Sequence, residues 1–182
     1  MGHILCRVRP RHGIGHTRAM AQPARAAVEA PSIELGGFQI WVHRRQFPDV
    51  HDRWDGNWLH VTAQCAQAGA IVAAGGPILD AADLQRFRDG LVAIHRTPSG
   101  QAELSGAEPN IRVRVGANGA PGHLRVRIDL TPDSQAQGHW FEYVIDQSDL
   151  ADTIGQLDAV LELFPVRGRA PDAWTLDLLD PA

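Results

Sequence analysis

The residues best suited to chemistry lie in one short stretch, Asp49–Leu59, which reads Asp-Val-His-Asp-Arg-Trp-Asp-Gly-Asn-Trp-Leu. It gathers three carboxylates, a histidine, an arginine and two tryptophans around an Asp-Gly turn that leads into a strand. Asp-Gly is typical of a tight turn, and tryptophan combines a large apolar surface with an N–H donor. Two interpretations are open: a packed structural corner, or a surface that recognises another molecule.

The same side chains invite a metal-site or acid–base interpretation. A calcium loop places its oxygen ligands at positions 1, 3 and 5 with glycine at position 6, and this stretch does not. His51 lies beside Asp52 and Asp55, but the sequence offers no obvious nucleophile or electrophile to act with them. We therefore expect no catalytic residues, no metal ligands and no cofactor. The aspartates are expected to cap turns or to face a basic partner.

Motifs for nucleotide binding and for hydrolysis are also missing. Gly13 and Gly15 follow no predicted strand, and Gly75-Gly76-Pro77 lacks the Lys-Ser/Thr of a phosphate loop. His95 and His139 are isolated, and a lone histidine is more often structural than a ligand. The sequence therefore predicts a protein that is not an enzyme.

Length and charge restrict the class of protein further. With 182 residues and 44% hydrophobic content, the chain fits one domain with a substantial core. Residues 1–31 hold five arginines and one acid, a charge of +4, whereas residues 32–182 hold 12 arginines and 20 acids, a charge of −8. An acidic body disfavours nucleic acid and suits a basic protein partner. The lack of a long apolar run argues against a membrane protein, and the spacing of Cys6 and Cys65 favours a reducing cytoplasm.

Hydrophobic periodicity predicts the elements that position these residues. Alternation predicts seven strands, at 38–43, 58–65, 70–74, Gln101–Ser105, Ile111–Val115, His123–Leu130 and His139–Asp146. Spacings of three and four predict one helix capped by Asp80 and Asp83, with the apolar stripe Leu84, Phe87, Leu91 and Ile94. They predict a second helix capped by Asp146 or Ser148, with the stripe Leu150, Ile154, Leu157, Leu161 and Phe164.

The order βββα-ββββ-α predicts an α+β fold: one antiparallel sheet of about six to seven strands, with both amphipathic helices on one face. We expect residues 1–31 to form a disordered leader rich in Arg, Ala and Pro. Residues 32–167 are expected to form a single domain, and residues 168–182 an acidic tail containing proline.

The outer face of such a sheet would be rich in aromatic and basic side chains. It would collect Trp41, His43, Trp58, His60, Arg112, Arg114, Arg125, Arg127 and Trp140. One interpretation is that guanidinium groups lie on indoles and simply cover the sheet, with Glu103, Asp129 and Glu142 pairing across strands. The other is a binding surface, since tryptophan and arginine are enriched at interface hot spots. The partner-binding candidates are then Trp41, Asp49, Asp52, Trp54, Asp55, Trp58, Arg112, Arg114, Arg125 and Arg127.

Three short motifs occur in a fixed order. They are Phe47-Pro48-Asp49 with Trp54-Asp55-Gly56-Asn57-Trp58-Leu59, then Glu108-Pro109-Asn110, then Leu163-Phe164-Pro165. This pattern resembles the WapI family of bacterial immunity proteins, from Ser32 to Arg167. The resemblance implies a cytoplasmic antidote that binds and neutralises the C-terminal domain of a polymorphic or contact-dependent toxin, often a nuclease. It assigns no toxin contacts, so the candidate interface residues rest on surface chemistry alone.

Two alternatives from other classes stay open. The Trp/Arg/His face could form a small-molecule site for an anionic ligand, or an enzymatic site, which predicts a pocket where the four arginines converge with Trp58. It could instead be buried against a second copy of the chain. We expect a monomer or a weak homodimer.

Overall fold

A computed structural model of the chain describes residues 30–97 and 99–168. Within these ranges the order of elements is ββββα, repeated once. The first unit comprises β1 (Ile33–Leu35), β2 (Phe38–Arg45), β3 (Trp58–Gln67), β4 (Ala70–Asp80) and α1 (Ala81–Arg96). The second comprises β5 (Gln101–Ser105), β6 (Ile111–Ala117), β7 (His123–Leu130), β8 (Trp140–Asp146), a 3-10 turn at Gln147–Asp149, and α2 (Leu150–Leu163). The predicted leader and tail lie outside the described residues, apart from residues 30, 31 and 168.

Each unit forms its own four-stranded antiparallel sheet, with the strands in sequence order. The predicted single sheet is therefore wrong. Each strand pairs with its neighbour in sequence, across connections of two to twelve residues, whereas α1 separates β4 from β5 and these two strands do not pair. The prediction also missed β1 and ended β4 too early, at the Gly-Gly-Pro that interrupts the alternation.

The two sheets turn their apolar faces toward one shared core. Along β3 the inward side chains Leu59, Val61, Ala63 and Cys65 are at most 1% exposed, as the alternation predicts. Tyr143 on β8 crosses between the sheets, with its Oη 3.3 Å from Cys65 Sγ and donating to the Ala66 carbonyl at 2.7 Å. The inward side chains of both sheets therefore contribute to one hydrophobic core.

The helices pack on each other and on edge strands of different sheets, so they do not lie together on one face of a single sheet. α1 packs on α2 and on the edge strand β5, while α2 also packs on the edge strand β1. Gly90 allows the close approach of α1, since a Cβ there would lie 2.9 Å from the Ala102 methyl. Thr153 of α2 donates from its hydroxyl to the Glu34 carbonyl at 2.7 Å. Covering an edge strand protects its unpaired backbone groups.

An Asp-x-x-Asp motif stands at the start of α1 and at the start of the 3-10 turn that leads into α2. The predicted capping box of α1 is confirmed: Asp80 accepts from the Ala82 N–H at 2.7 Å, and Asp83 accepts from the Asp80 N–H at 3.2 Å. Asp149 accepts from the Asp146 N–H at 3.1 Å in the same manner. Neither described helix has both the length and the apolar character that a bilayer crossing requires.

Candidate functional site

The Asp/Trp-rich stretch forms the loop between β2 and β3. Gln46 closes its base by donating its backbone N–H to the Trp58 carbonyl at 2.9 Å. At the tip, Asp52 Oδ1 accepts from the backbone N–H groups of Trp54 and Asp55 at 2.7 and 2.8 Å. These two hydrogen bonds hold the pKa of Asp52 below its usual range, and the bond from Asp55 has the larger effect. The predicted turn-capping role of an aspartate is confirmed, and the turn leaves the Trp54 side chain 68% exposed.

A buried amide fixes this loop to the segment that follows α2. Asn57 is only 1% exposed. Its Nδ2 donates to the carbonyls of Arg53 and Arg167 at 3.2 and 3.0 Å, and its Oδ1 accepts from the Arg167 N–H at 2.7 Å. The Arg167 guanidinium then donates to the carbonyls of Pro48 and Val50 at 2.8 and 2.7 Å. Both sides of the loop are therefore held.

A buried arginine at the end of β2 adds to this clamp. Arg45 donates to the carbonyls of Gly56 and Pro165 at 2.7 and 2.5 Å, with its guanidinium 5.9 Å from the Phe164 ring centroid. Burial, followed by the neighbouring charge of Arg167, lowers the pKa of Arg45. The guanidinium satisfies carbonyls that the folded loop would otherwise leave buried without a donor.

Two glycines let the backbone segments approach this closely. A Cβ on Gly56 would lie 2.5 Å from the Asp52 carbonyl oxygen. Gly168 has φ = +60° and packs directly on the backbone of Arg53, leaving no room for a side chain. The loop is thus a packed corner on its inner side, while its carboxylates and Trp54 face outward.

A cleft of about 660 Å³ opens beside the loop. Its walls come from the loop, the start of α1, the β5–β6 connection and the segment after α2: Arg53, Trp54, Asp55, Asn57, Trp58, Asp80, Ala82, Asp83, Arg86, Ala107, Val166, Arg167 and Gly168. Burial raises the pKa of both Asp80 and Asp83, and the ion pair with Arg86 opposes this rise at Asp83. The Arg53 guanidinium lies 4.0 Å from the Trp54 ring centroid. Carboxylates, guanidinium groups and indoles therefore line the same cleft.

The ten partner-binding candidates fall into separate groups. Trp54, Asp55 and Trp58 line the cleft, and Asp49 and Asp52 are exposed on the same loop. Trp41 lies half-buried on the outer face of the first sheet. The last group, on the outer face of the second sheet, is Arg112, Arg114, Arg125 and Arg127.

The predicted single Trp/Arg/His face is therefore wrong. Its residues were assigned to one sheet, whereas the chain builds two: the first carries Trp41, His43, Trp58 and His60, and the second carries the four arginines and Trp140. Trp58 lines the loop cleft, whereas Arg114, Arg125 and Arg127 line a separate depression, so the predicted convergence of the arginines with Trp58 is wrong.

The arginines of the second sheet pair with acids and an indole on the same face. Arg114 and Arg127 are directly opposite each other on β6 and β7, and both donate to Asp129, at 2.8 and 3.2 Å. Burial alone would raise the pKa of Asp129, but these two hydrogen bonds hold it below the usual range. Arg127 also lies 4.7 Å from the Trp140 ring centroid. The cross-strand pairing expected for this face is confirmed.

Sequence reasoning missed the residues that hold the loop in place. Asn57 stood inside the quoted motif without a role, while Arg45 and Arg167 stood outside any motif. No local signal marked Arg45: alternation from Phe38 places it on the outward side of β2, and it turns inward only because a β-bulge between Val42 and Arg44 shifts the register. Among residues 30–97 and 99–168, no three His, Cys, Asp or Glu side chains form a group that could hold a metal ion.

Comparison with known proteins places the chain in a family. The model of the immunity protein WapI-like family matches residues 31–165. No curated protein matches. One chain of a solved structure, the CdiA-CT/CdiI toxin and immunity complex from Enterobacter cloacae, is similar at 10% identity with a TM-score of 0.38, covering 67% of this chain and 99% of that chain. That likeness is too distant to carry an argument, whereas the family match spans most of the sequence. The chain belongs to the WapI-like family of immunity proteins.

Proposed function

We propose that this protein acts in the cytoplasm by binding and neutralising the C-terminal toxin domain of a polymorphic or contact-dependent toxin. Membership in the immunity family is the observation that carries this proposal. Neutralisation by stoichiometric binding needs a surface and no catalytic group, so we propose a non-enzymatic mechanism.

We further propose that the toxin is a nuclease. Eleven arginines and 17 acidic residues lie within the described ranges, a net charge of −6. A nuclease carries basic residues where it contacts phosphates. An acidic antidote is attracted to such a surface and accelerates its own association with it.

The loop and its cleft are the proposed centre of the interface. The clamp formed by Asn57, Arg45 and Arg167 fixes the loop before binding, so little conformational entropy is lost on association. Trp54 offers a large exposed indole, and Asp49 and Asp55 offer exposed carboxylates to a basic partner. An indole on a rigid loop, surrounded by charged groups, is typical of a binding hot spot.

The test uses the toxin domain encoded beside this gene, purified and titrated by calorimetry, together with rescue of toxin-expressing cells. Trp54→Ala is expected to weaken binding by about 2 kcal/mol, roughly 30-fold. The matched control is Ile71→Ala, because Ile71 is 67% exposed and pairs with Ala66 at the far end of β3. Eight residues along that strand place it about 26 Å from Trp58.

The possible results distinguish an error in the proposed function from an error in the proposed interface. If no complex forms at micromolar concentration, the proposed function is wrong. If a complex forms and both variants bind equally well, the loop is not the interface. Light scattering on the free protein adds a check, since a monomer or weak homodimer is expected to leave the loop accessible.

A further inference from the structure

The cleft beside the loop continues onto the outer face of the second sheet. Ala107, in the β5–β6 connection, lines both the cleft and a neighbouring depression of about 440 Å³. Arg112 and Arg114 line that second depression. Arg114 then lines a third depression, of about 220 Å³, together with Arg125 and Arg127. Three neighbouring depressions, which share Ala107 and Arg114, therefore lie between Trp54 and Arg125.

The charge changes sign along this surface. The loop end is acidic, with five carboxylates against three guanidinium groups: Asp49, Asp52, Asp55, Asp80 and Asp83 against Arg53, Arg86 and Arg167. The far end is basic, with four guanidinium groups against three carboxylates: Arg112, Arg114, Arg125 and Arg127 against Glu103, Asp129 and Glu142. A partner that covers the whole surface therefore needs charges of both signs.

The basic end contains donors that the described residues leave unused. Arg114 and Arg127 lie directly opposite each other, an arrangement that destabilises a sheet unless anions screen it. Asp129 accepts one Nη from each, but both Nε–H groups are buried and donate to no atom of the described residues. Gly116 stands opposite Arg125 and provides no side chain to fill the space between them. The two Nε–H groups are too deeply buried to meet an incoming carboxylate, but the exposed Arg125 guanidinium borders a depression with room for one.

Two neighbouring apolar side chains indicate a protein as the source of that carboxylate. Trp140 and Val144, on the β8 edge of the same face, are 60% and 58% exposed. A free anion would leave both in water, whereas a protein surface would cover them. The acidic body also disfavours a nucleic-acid phosphate.

We infer that the toxin interface is bipolar: a basic part of the toxin covers the loop cleft, and an acidic side chain of the same toxin seats between Arg114, Arg125 and Arg127. This inference rests on the proposed function and extends it to a second contact of opposite charge. It leaves Trp41, which lines neither the loop cleft nor the two arginine depressions, outside the interface.

The test measures affinity for the adjacent toxin domain with Arg125→Gln and Arg125→Glu. Arg125 is exposed and holds only surface partners, Asn118 and Glu142, so the fold is expected to persist. The matched control is Arg88→Gln on α1, which removes the same charge and breaks a surface pair with Asp158. We expect about a tenfold loss for Arg125→Gln, about 100-fold for Arg125→Glu, and less than twofold for the control.

The possible results differ in which partner, if any, they assign to the arginine depression. A toxin complex whose affinity responds equally to Arg125→Gln and Arg88→Gln would overturn the bipolar interface while leaving the immunity function intact. Absence of any complex with the wild-type protein would remove the proposed function itself. A stable homodimer of the free protein, dissociated by Arg125→Glu, would assign the arginine depression to a second copy and overturn its assignment to the toxin.

Discussion

Replacing Asn57 tests whether its buried amide holds the loop in place. Asn57→Ala removes two donated hydrogen bonds, to the carbonyls of Arg53 and Arg167, and one accepted from the Arg167 N–H. Each bond contributes about 1 kcal/mol net, so we expect the free energy of unfolding to fall by about 3 kcal/mol. Since a domain is stabilised by only about 5–15 kcal/mol in total, this loss is easily measured.

Urea denaturation followed by tryptophan fluorescence provides the assay, with two companion variants. Asn57→Asp keeps the acceptor for the Arg167 N–H but turns a buried carboxylate oxygen toward the carbonyls of Arg53 and Arg167, so it is expected to lose more than Asn57→Ala, about 4 kcal/mol. Gln39→Ala is the control, because its amide donates to the Glu34 carboxylate at 2.7 Å on the exposed surface. That variant is expected to stay within about 0.5 kcal/mol of the wild type.

The relative stabilities of the three variants test whether the Asn57 amide holds the loop. If Asn57→Ala is no less stable than Gln39→Ala, the amide does not stabilise the loop. If stability falls as expected but hydrogen exchange at the Trp54 and Asp55 amides is unchanged, the amide stabilises the domain without fixing the loop tip. Faster exchange at both amides, together with weaker toxin binding, is the expected result.

Three further predictions follow from the core and the start of α1. Tyr143→Phe is expected to lose about 1–2 kcal/mol in urea denaturation, because it leaves the Ala66 carbonyl without its 2.7 Å donor; unchanged stability would contradict this. In a Cys6→Ser variant, the Cys65 thiol is expected to react with a disulfide reagent only once urea unfolds the protein, since burial raises its pKa and blocks access; rapid reaction of the native protein would be the opposing result. Burial raises the folded-state pKa of Asp80 and Asp83 above the unfolded value, so the ionised pair destabilises the fold at neutral pH and this penalty is relieved as the pH falls through the raised pKa. Asp83→Asn is therefore expected to gain less stability than the wild type as the pH falls from 7 to 5. Equal gains in the free energy of unfolding, measured by urea denaturation at both pH values, would contradict this prediction.

Local patterns in the sequence predicted the elements but not their arrangement. Alternation at β6 and β7, the apolar stripe of α1 and the Asp80–Asp83 cap all depend on residues a few positions apart, and all are confirmed. Alternation states which side chains share a face but not which strands share a sheet. The split into two sheets depends on how α1 and α2 pack. The spacing of nearby residues in the sequence does not indicate that packing.

The same limit applies to the site. The turn at Asp52 and the exposure of Trp54 depend on adjacent residues and could be predicted from the loop sequence alone. The clamp could not, because Arg45 and Asn57 meet partners 110–120 positions further along the chain. Continuity between the loop cleft and the arginines arises only because the β5–β6 connection lies beside both.

The placement of the helices makes the two ββββα units depend on each other. α1 buries Leu84, Phe87, Leu91 and Ile94 partly against β5 of the second unit, and α2 packs on β1 of the first. A fragment ending near Thr97 would keep its own four strands but lose the surface that shelters its helix. Two such fragments produced separately would each lack part of the core, and we expect each to fold completely only when the two associate. We therefore predict that residues 32–167 unfold in one cooperative urea transition, even though the sequence divides evenly into two units.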